Sequence, residues 1–161
     1  MRQSELSLPS GCRLRKAASQ DMRSLRRLVF SAMLDPTQLH WQQFWVIEFQ
    51  GEVIACGQLR NFSQAQELGS LVVKPNWRGR GLATFLTHYL ITQATQPLYL
   101  ECLGQRLAQF YNHFGFVQVD FENLPKSLQN KFKISQLGKK ILRVPVIFMQ
   151  HQDEATLNQN S

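Results

Sequence analysis

The apolar, strand-like run Glu67 to Val73 leads through Lys74-Pro75-Asn76-Trp77 into Arg78-Gly79-Arg80-Gly81. A stretch with apolar residues at Leu82, Phe85, Leu86, Tyr89 and Leu90 follows. That spacing is the i, i+3, i+4, i+7, i+8 stripe of a helix laid on a sheet. The order strand, glycine turn, helix confines the chain to folds that cover a sheet with helices. It also makes an anion cradle. The first N–H groups of a helix have no intrahelical partner and lie at its positive dipole end. Glycines at 79 and 81 let the backbone curve and let phosphate oxygens approach without a Cβ in the way, and Ala83 keeps the next turn small. The helix end contributes about 0.3–1 kcal/mol per exposed charge, and each charge-assisted hydrogen bond about 1.5–3 kcal/mol. Several together anchor a diphosphate. Two other cradles are excluded: no Gly-Lys-Ser/Thr closes the loop, and Thr84 stands where a dinucleotide fingerprint needs its third glycine.

The flanking pattern gives the element order. Cys12 to Lys16 reads as a short strand. Asp21 is expected to cap a helix with Met22, Leu25, Leu28, Val29 and Ala32 inward, stopped by Asp35-Pro36. Phe44 to Phe49 and Val53 to Leu59, joined at Gln50-Gly51, read as a hairpin, and a turn over Asn61 to Ala65 leads to the Glu67 run. Beyond the central helix, Pro97 precedes a buried strand, Leu98 to Cys102. A helix then places Leu107, Phe110, Tyr111 and Phe114 on one face and ends at Gly115. Phe116 to Val119 and Val144 to Met149 are strand-like, and Asp120 to Arg143 is polar and basic with no assigned element. The order β-α-β-β-β-α-β-α-β-(variable)-β implies an α/β (α+β) mixed sheet flanked by helices. Residues 1–11 read as a polar leader, 12–150 as a single domain, and 151–161 as a disordered tail.

Bulk properties narrow the function. A chain of 161 residues with 43% hydrophobic content supports a real core. No run of about 18 apolar residues suggests a membrane span, and the start of the chain has no apolar signal segment, so the cytoplasm is the expected location. Cys12, Cys56 and Cys102 lack metal or disulfide spacing, and no metal is expected. Cys56 and Cys102 read as small core residues, with a nucleophilic Cys102 left open. The net charge of +7 favours anionic partners. It is scattered, without a basic run interleaved with aromatics, so nucleic-acid binding is disfavoured.

The stretch Leu71-x-Val73-x-Pro75-x-x-Arg78-Gly79-Arg80-Gly81-Leu82-Ala83 resembles the central acetyl-CoA motif of the GNAT acetyltransferases. Phe110-Tyr111-Asn112-His113-Phe114-Gly115-Phe116 is similar to the family's second motif. The resemblance implies the GNAT fold, a splayed mixed sheet with coenzyme A wedged in it, and acetyl-CoA as co-substrate of an N-acetyltransferase acting on a primary amine. It implies that the backbone of Leu71, Val72 and Val73 meets pantetheine and acetyl group. Arg78, Gly79, Arg80, Gly81, Leu82, Ala83 and Thr84 would hold the diphosphate. Gly104 stands where the family often has an Asn that touches the cofactor. Leu34 to Gln43 and Asp120 to Arg143 would be the acceptor-binding segments, and a homodimer is left open.

Transfer to an amine needs that amine neutral. For a lysine-like amine at pH 7 this costs about 4.6 kcal/mol, and a plain carboxylate is mismatched as its base by about six pKa units. Glu67, at the start of the strand entering the cradle, is the preferred base; a solvated surface Glu is the alternative reading. Glu101 is the second candidate. Tyr111 is the natural acid for a departing thiolate, and His113, two residues on, reads as surface. A bulge at Gly69-Ser70 would expose amides that polarise the carbonyl. The competing function is a coenzyme A-binding regulatory protein without turnover.

Overall fold

A computed structural model describes residues 7–133 and 145–153. Among them the elements are β1 (Cys12–Lys16), α1 (Met22–Ser31), β2 (Phe44–Phe49), β3 (Glu52–Phe62), β4 (Ala65–Val73), α2 (Leu82–Gln93), β5 (Leu98–Leu103), α3 (Gln105–Asn112), β6 (Phe116–Val119), a further helix α4 described over 126–133, and β7 (Val146–His151). The strands hydrogen-bond in the order β1-β2-β3-β4-β5-β7-β6. β1 to β2, β2 to β3, β5 to β7 and β6 to β7 are antiparallel, and β4 to β5 is parallel, so the sheet is mixed. The chain forms two compact units: residues through Arg60 with Leu68–Gln93, and Asn61–Glu67 with the chain from Ala94.

In the first unit the alternation of β2 builds two cores. Phe44 and Val46 join Leu25, Leu28 and Val29 of α1, whereas Ile47 joins Leu82 and Leu86 of α2. A register shift between Ile47 and Glu48 bulges the pairing with β3. Consecutive Ile54 and Ala55 therefore enter the α2 core, while Val53 and Cys56 enter the α1 core. β3 is buried without a break from Val53 to Arg60, as a strand covered on both faces must be.

Asp21 does not cap α1 with its side chain. Its carboxylate accepts from the Ala18 N–H at 2.7 Å and from both terminal nitrogens of Arg15, closing the 3-10 turn that precedes the helix. Nor does Pro36 stop α1. The helix ends at Ser31, and Met33 reverses the chain at φ 56°, with the Leu34 N–H reaching back to the Val29 carbonyl. The β3–β4 turn is shorter than the composition suggests, because both strands extend toward a left-handed Gln64.

The second unit contains the element that the sequence reading left unassigned. Leu124, Leu128 and Phe132 are buried against Tyr99, Val146 and Phe148, with the Phe132 and Phe148 rings stacked at 5.3 Å. Leu128 and Phe132, four residues apart, are the inward positions of α4, and Leu124 lies just before its first turn; fully burying each such side chain contributes about 1.5–3 kcal/mol. The inward face of α3 is also shifted by one residue. Ala108 and Tyr111 are buried, and Leu107 is 45% exposed. β7 runs on to His151, so that residue belongs to the sheet and not to a tail; Val144 and residues 154–161 lie outside the described residues.

Candidate functional site

In the first unit, β4 delivers the chain to a 3-10 turn, Pro75–Trp77, and then to the exposed residues Arg78, Gly79, Arg80 and Gly81. Gly79 and Gly81 both stand at left-handed φ, 76° and 80°, with no other atom near where a Cβ would project. Glycine is required there by conformation, and the space beside each is open. The Gly81 carbonyl accepts the Phe85 N–H at 3.0 Å, which makes Gly81 the cap of α2. The N–H groups of Leu82, Ala83 and Thr84 are therefore the ones that helix geometry leaves without an intrahelical acceptor. Leu82 turns its side chain into the core, so it offers a ligand only its backbone; Ala83 and Thr84 are half-buried. The two arginines are positioned. Arg78 Nε donates to the Val73 carbonyl at 3.2 Å, and the Arg80 guanidinium lies 4.5 Å over the Trp77 ring, which packs on Phe49.

Just upstream, Ser70 interrupts β4 at φ 48°. A left-handed residue inside a strand marks a bulge, and for a non-glycine it stores about 1–3 kcal/mol of strain. Leu71 and Val73 beyond it are half-buried and Val72 is buried. Ser70 is held by side chains that the sequence reading did not single out: its hydroxyl accepts from Arg60 Nη2 at 2.9 Å and donates to Gln58 Oε1 at 3.1 Å. The Cys56 thiol donates to its carbonyl at 3.4 Å.

In the second unit, Glu67 is not a solvated strand-start residue. It is 2% exposed, and the Lys131 ammonium of α4 contacts both of its oxygens, at 2.6 Å from Oε1. Tyr111 is buried in α3, its ring edge against Phe116, and burial pushes its hydroxyl well above the ordinary tyrosine range, with Cys102 adding to the rise. The same burial pushes the Cys102 thiol up to about 11. Glu101 is half-buried beside it, and His113 is exposed, with its Nδ1 2.7 Å from the Gln109 carbonyl. Gly104 opens α3 at φ 84° and ψ 158°, and its N–H donates to the Pro145 carbonyl at 2.9 Å. Only glycine adopts that region readily, which accounts for its presence in place of Asn. Among the described residues no cluster of His, Cys, Asp and Glu could hold a metal, and no helix is long and apolar enough to cross a membrane.

A family model described as an acetyltransferase (GNAT) domain matches residues 40–118. Among curated proteins, none matches the sequence. Solved structures do. N-acetylglutamate synthase from Neisseria gonorrhoeae, complexed with coenzyme A and L-arginine, superposes with a TM-score of 0.71 at 17% identity, over 91% of this chain and 34% of that one. A Mycobacterium tuberculosis protein in complex with CoA and NLQ gives 0.66 at 21% identity, over 86% of this chain and 98% of that one. A GNAT-family acetyltransferase from Bacillus cereus gives 0.62 at 16% identity, over 88% and 97%. The chain spans about a third of the first of these, and at such identities the likeness is one of fold. The matched segment, which holds the bulged strand and the glycine-lined helix start, reads as a GNAT acetyltransferase domain over residues 40–118, and the chain shares the fold of GNAT acetyltransferases of known structure.

Proposed function

We propose that the protein transfers the acetyl group of acetyl-CoA to a primary amine by direct attack. The observation that carries this reading is the pair of left-handed glycines opening α2. Amides of Gly81 to Thr84 aimed out of a helix start, flanked by Arg78 and Arg80, suit the diphosphate of a CoA thioester. The strand amides of Leu71 to Val73, re-aimed by Ser70, would hydrogen-bond pantetheine and polarise the thioester carbonyl.

The amine nitrogen forms a bond to the carbonyl carbon as the C–S bond breaks. The ammonium proton leaves toward a base, and the sulfur takes one from an acid. Glu67 is the proposed base. Lys131 engages both of its oxygens, so a proton from the acceptor must compete with that ammonium or travel by water. Tyr111 is the proposed acid: burial keeps its hydroxyl protonated, which is the form that donates to a thiolate.

The acceptor class is open to assay. Lys126 and Lys133 are exposed on α4, whereas Lys131 is committed to Glu67. If the exposed pair faces the acceptor, carboxylate-bearing amines will outperform polyamines. A panel of amines assayed for thiol release from acetyl-CoA tests the reading. Release that requires both acetyl-CoA and an amine supports it. Binding of CoA with no release for any amine supports instead a regulatory protein, for which the engagement of Glu67 by Lys131 is the favouring observation.

A further inference from the structure

The polar side chains behind Ser70 form a continuous buried chain. Gln58, in the middle of β3, is fully buried, and Arg60 and Ser70 are 5% and 6% exposed. Gln58 Nε2 donates to the Gln38 carbonyl at 2.7 Å and to Gln43 Oε1 at 3.0 Å, and its Oε1 accepts from Ser70 Oγ at 3.1 Å. All three bonds suit one amide orientation, so the side chain is fixed at both ends. Arg60 donates to the same hydroxyl and lies across Gly69, where any Cβ would collide with its guanidinium. A buried amide of this kind is expensive to leave half-satisfied. The chain links the segment before β2 to a strained, non-glycine left-handed residue of β4, across the intervening strand.

We propose that Gln58 is a positioning residue: it ties the segment 38–43 to Ser70, so that the amides of Leu71 to Val73 keep their aim only while that segment is docked. The inference rests on the reading that those amides meet the thioester. It adds that occupancy of 38–43 and cofactor binding are energetically coupled through one side chain. Among the described residues Gln43 joins this chain through Gln58, so changing it must be felt at the cofactor strand if the coupling exists.

The test uses three variants of the full chain, read by calorimetric titration with CoA and by amide hydrogen exchange. Gln58→Met keeps the length of the side chain and removes its hydrogen bonds. It should weaken CoA binding about tenfold and speed exchange at residues 38–43 and 70–73. Gln43→Ala is half-buried at a turn and carries the test if Gln58→Met does not fold; it should weaken binding about threefold and speed exchange at 70–73. The double variant Gln58→Met/Ser70→Gly should regain CoA affinity to within about threefold, because glycine takes left-handed φ unaided. CoA affinity and exchange unchanged in both single variants overturn the proposal, as does a loss that Ser70→Gly fails to recover. Wild-type protein that binds no CoA sinks the acetyltransferase reading by itself; exchange at 70–73 in Gln43→Ala then still decides the relay, faster exchange supporting it and unchanged exchange overturning it.

Discussion

The Lys131 ammonium closes on both carboxylate oxygens of Glu67, with the two side chains 10% and 2% exposed. The pair joins α4 to the start of β4 across 64 residues of sequence. Burying two charges is compensated only when they meet. Lys131→Met should therefore destabilise the fold by about 3–5 kcal/mol, read by urea unfolding at neutral pH. The double variant Lys131→Met/Glu67→Leu should recover part of the loss. Additive losses in the two single variants would show that the contact contributes nothing beyond packing.

Gly81→Ala separates fold from ligand. At φ 80° an alanine costs about 1–2 kcal/mol, but no protein atom stands in the way of its Cβ. Melting should shift by only a few degrees, whereas CoA binding should weaken at least about tenfold as the methyl enters the phosphate path. Equal affinity with a large melting shift would relocate the cofactor.

Tyr111 gives a prediction in pH. Burial raises its folded-state value above the unfolded one, so the unfolded chain ionises first. The contribution to stability is complete below about pH 10 and is lost as pH rises beyond it. Near neutral pH, where the proposed transfer would be assayed, the hydroxyl stays protonated, and a falling alkaline limb in kcat that survives Tyr111→Phe must belong to another group. Tyr111→Phe itself should lower kcat about 10²-fold or more. Unchanged turnover would remove Tyr111 from the chemistry.

At the other end of the pH scale, Arg15 holds Asp21 below the usual carboxylate range despite opposing burial, assisted by the Ala18 N–H, and Arg15 followed by Arg13 does the same for Glu48. These groups stabilise the fold above the unfolded carboxylate range near pH 4, and that contribution disappears as pH falls through and below it. Asp21→Asn should lose about 1 kcal/mol at pH 7 and show a shallower acid transition than wild type in melting temperature measured from pH 7 to 3.

Thiol labelling checks the packing cheaply. Burial pushes Cys56 up to about 12 and Cys102 up to about 11, whereas Cys12 is only half-buried. In native protein a disulfide reagent should modify Cys12 alone on the fast timescale, with all three labelled in denaturant. Rapid labelling of Cys102 would reopen a role for it as nucleophile.

How far the sequence carried depends on whether a structural demand leaves a residue-level signature. β1, β2 and β6 have the bounds their alternation implies, because period-two runs ended by turn residues leave little freedom. Gly79 and Gly81 were legible because left-handed backbone selects glycine. Ser70 and Met33 occupy the same region without it, so the kink before Leu71 could only be guessed and the true end of α1 was missed. α4 was hidden by its lysines, although Leu124, Leu128 and Phe132 carry a four-residue period. The Lys131–Glu67 contact has no local signature, since tertiary packing alone brings the two residues together.

The central claim is that the amides from Gly81 to Thr84 grasp the diphosphate of a CoA thioester, and titration of the purified protein with CoA tests it most directly. One site per chain is expected, with stabilisation of about 2.7 kcal/mol when free CoA stands at 100 times its Kd. No heat of binding and no rise in melting temperature would contradict it.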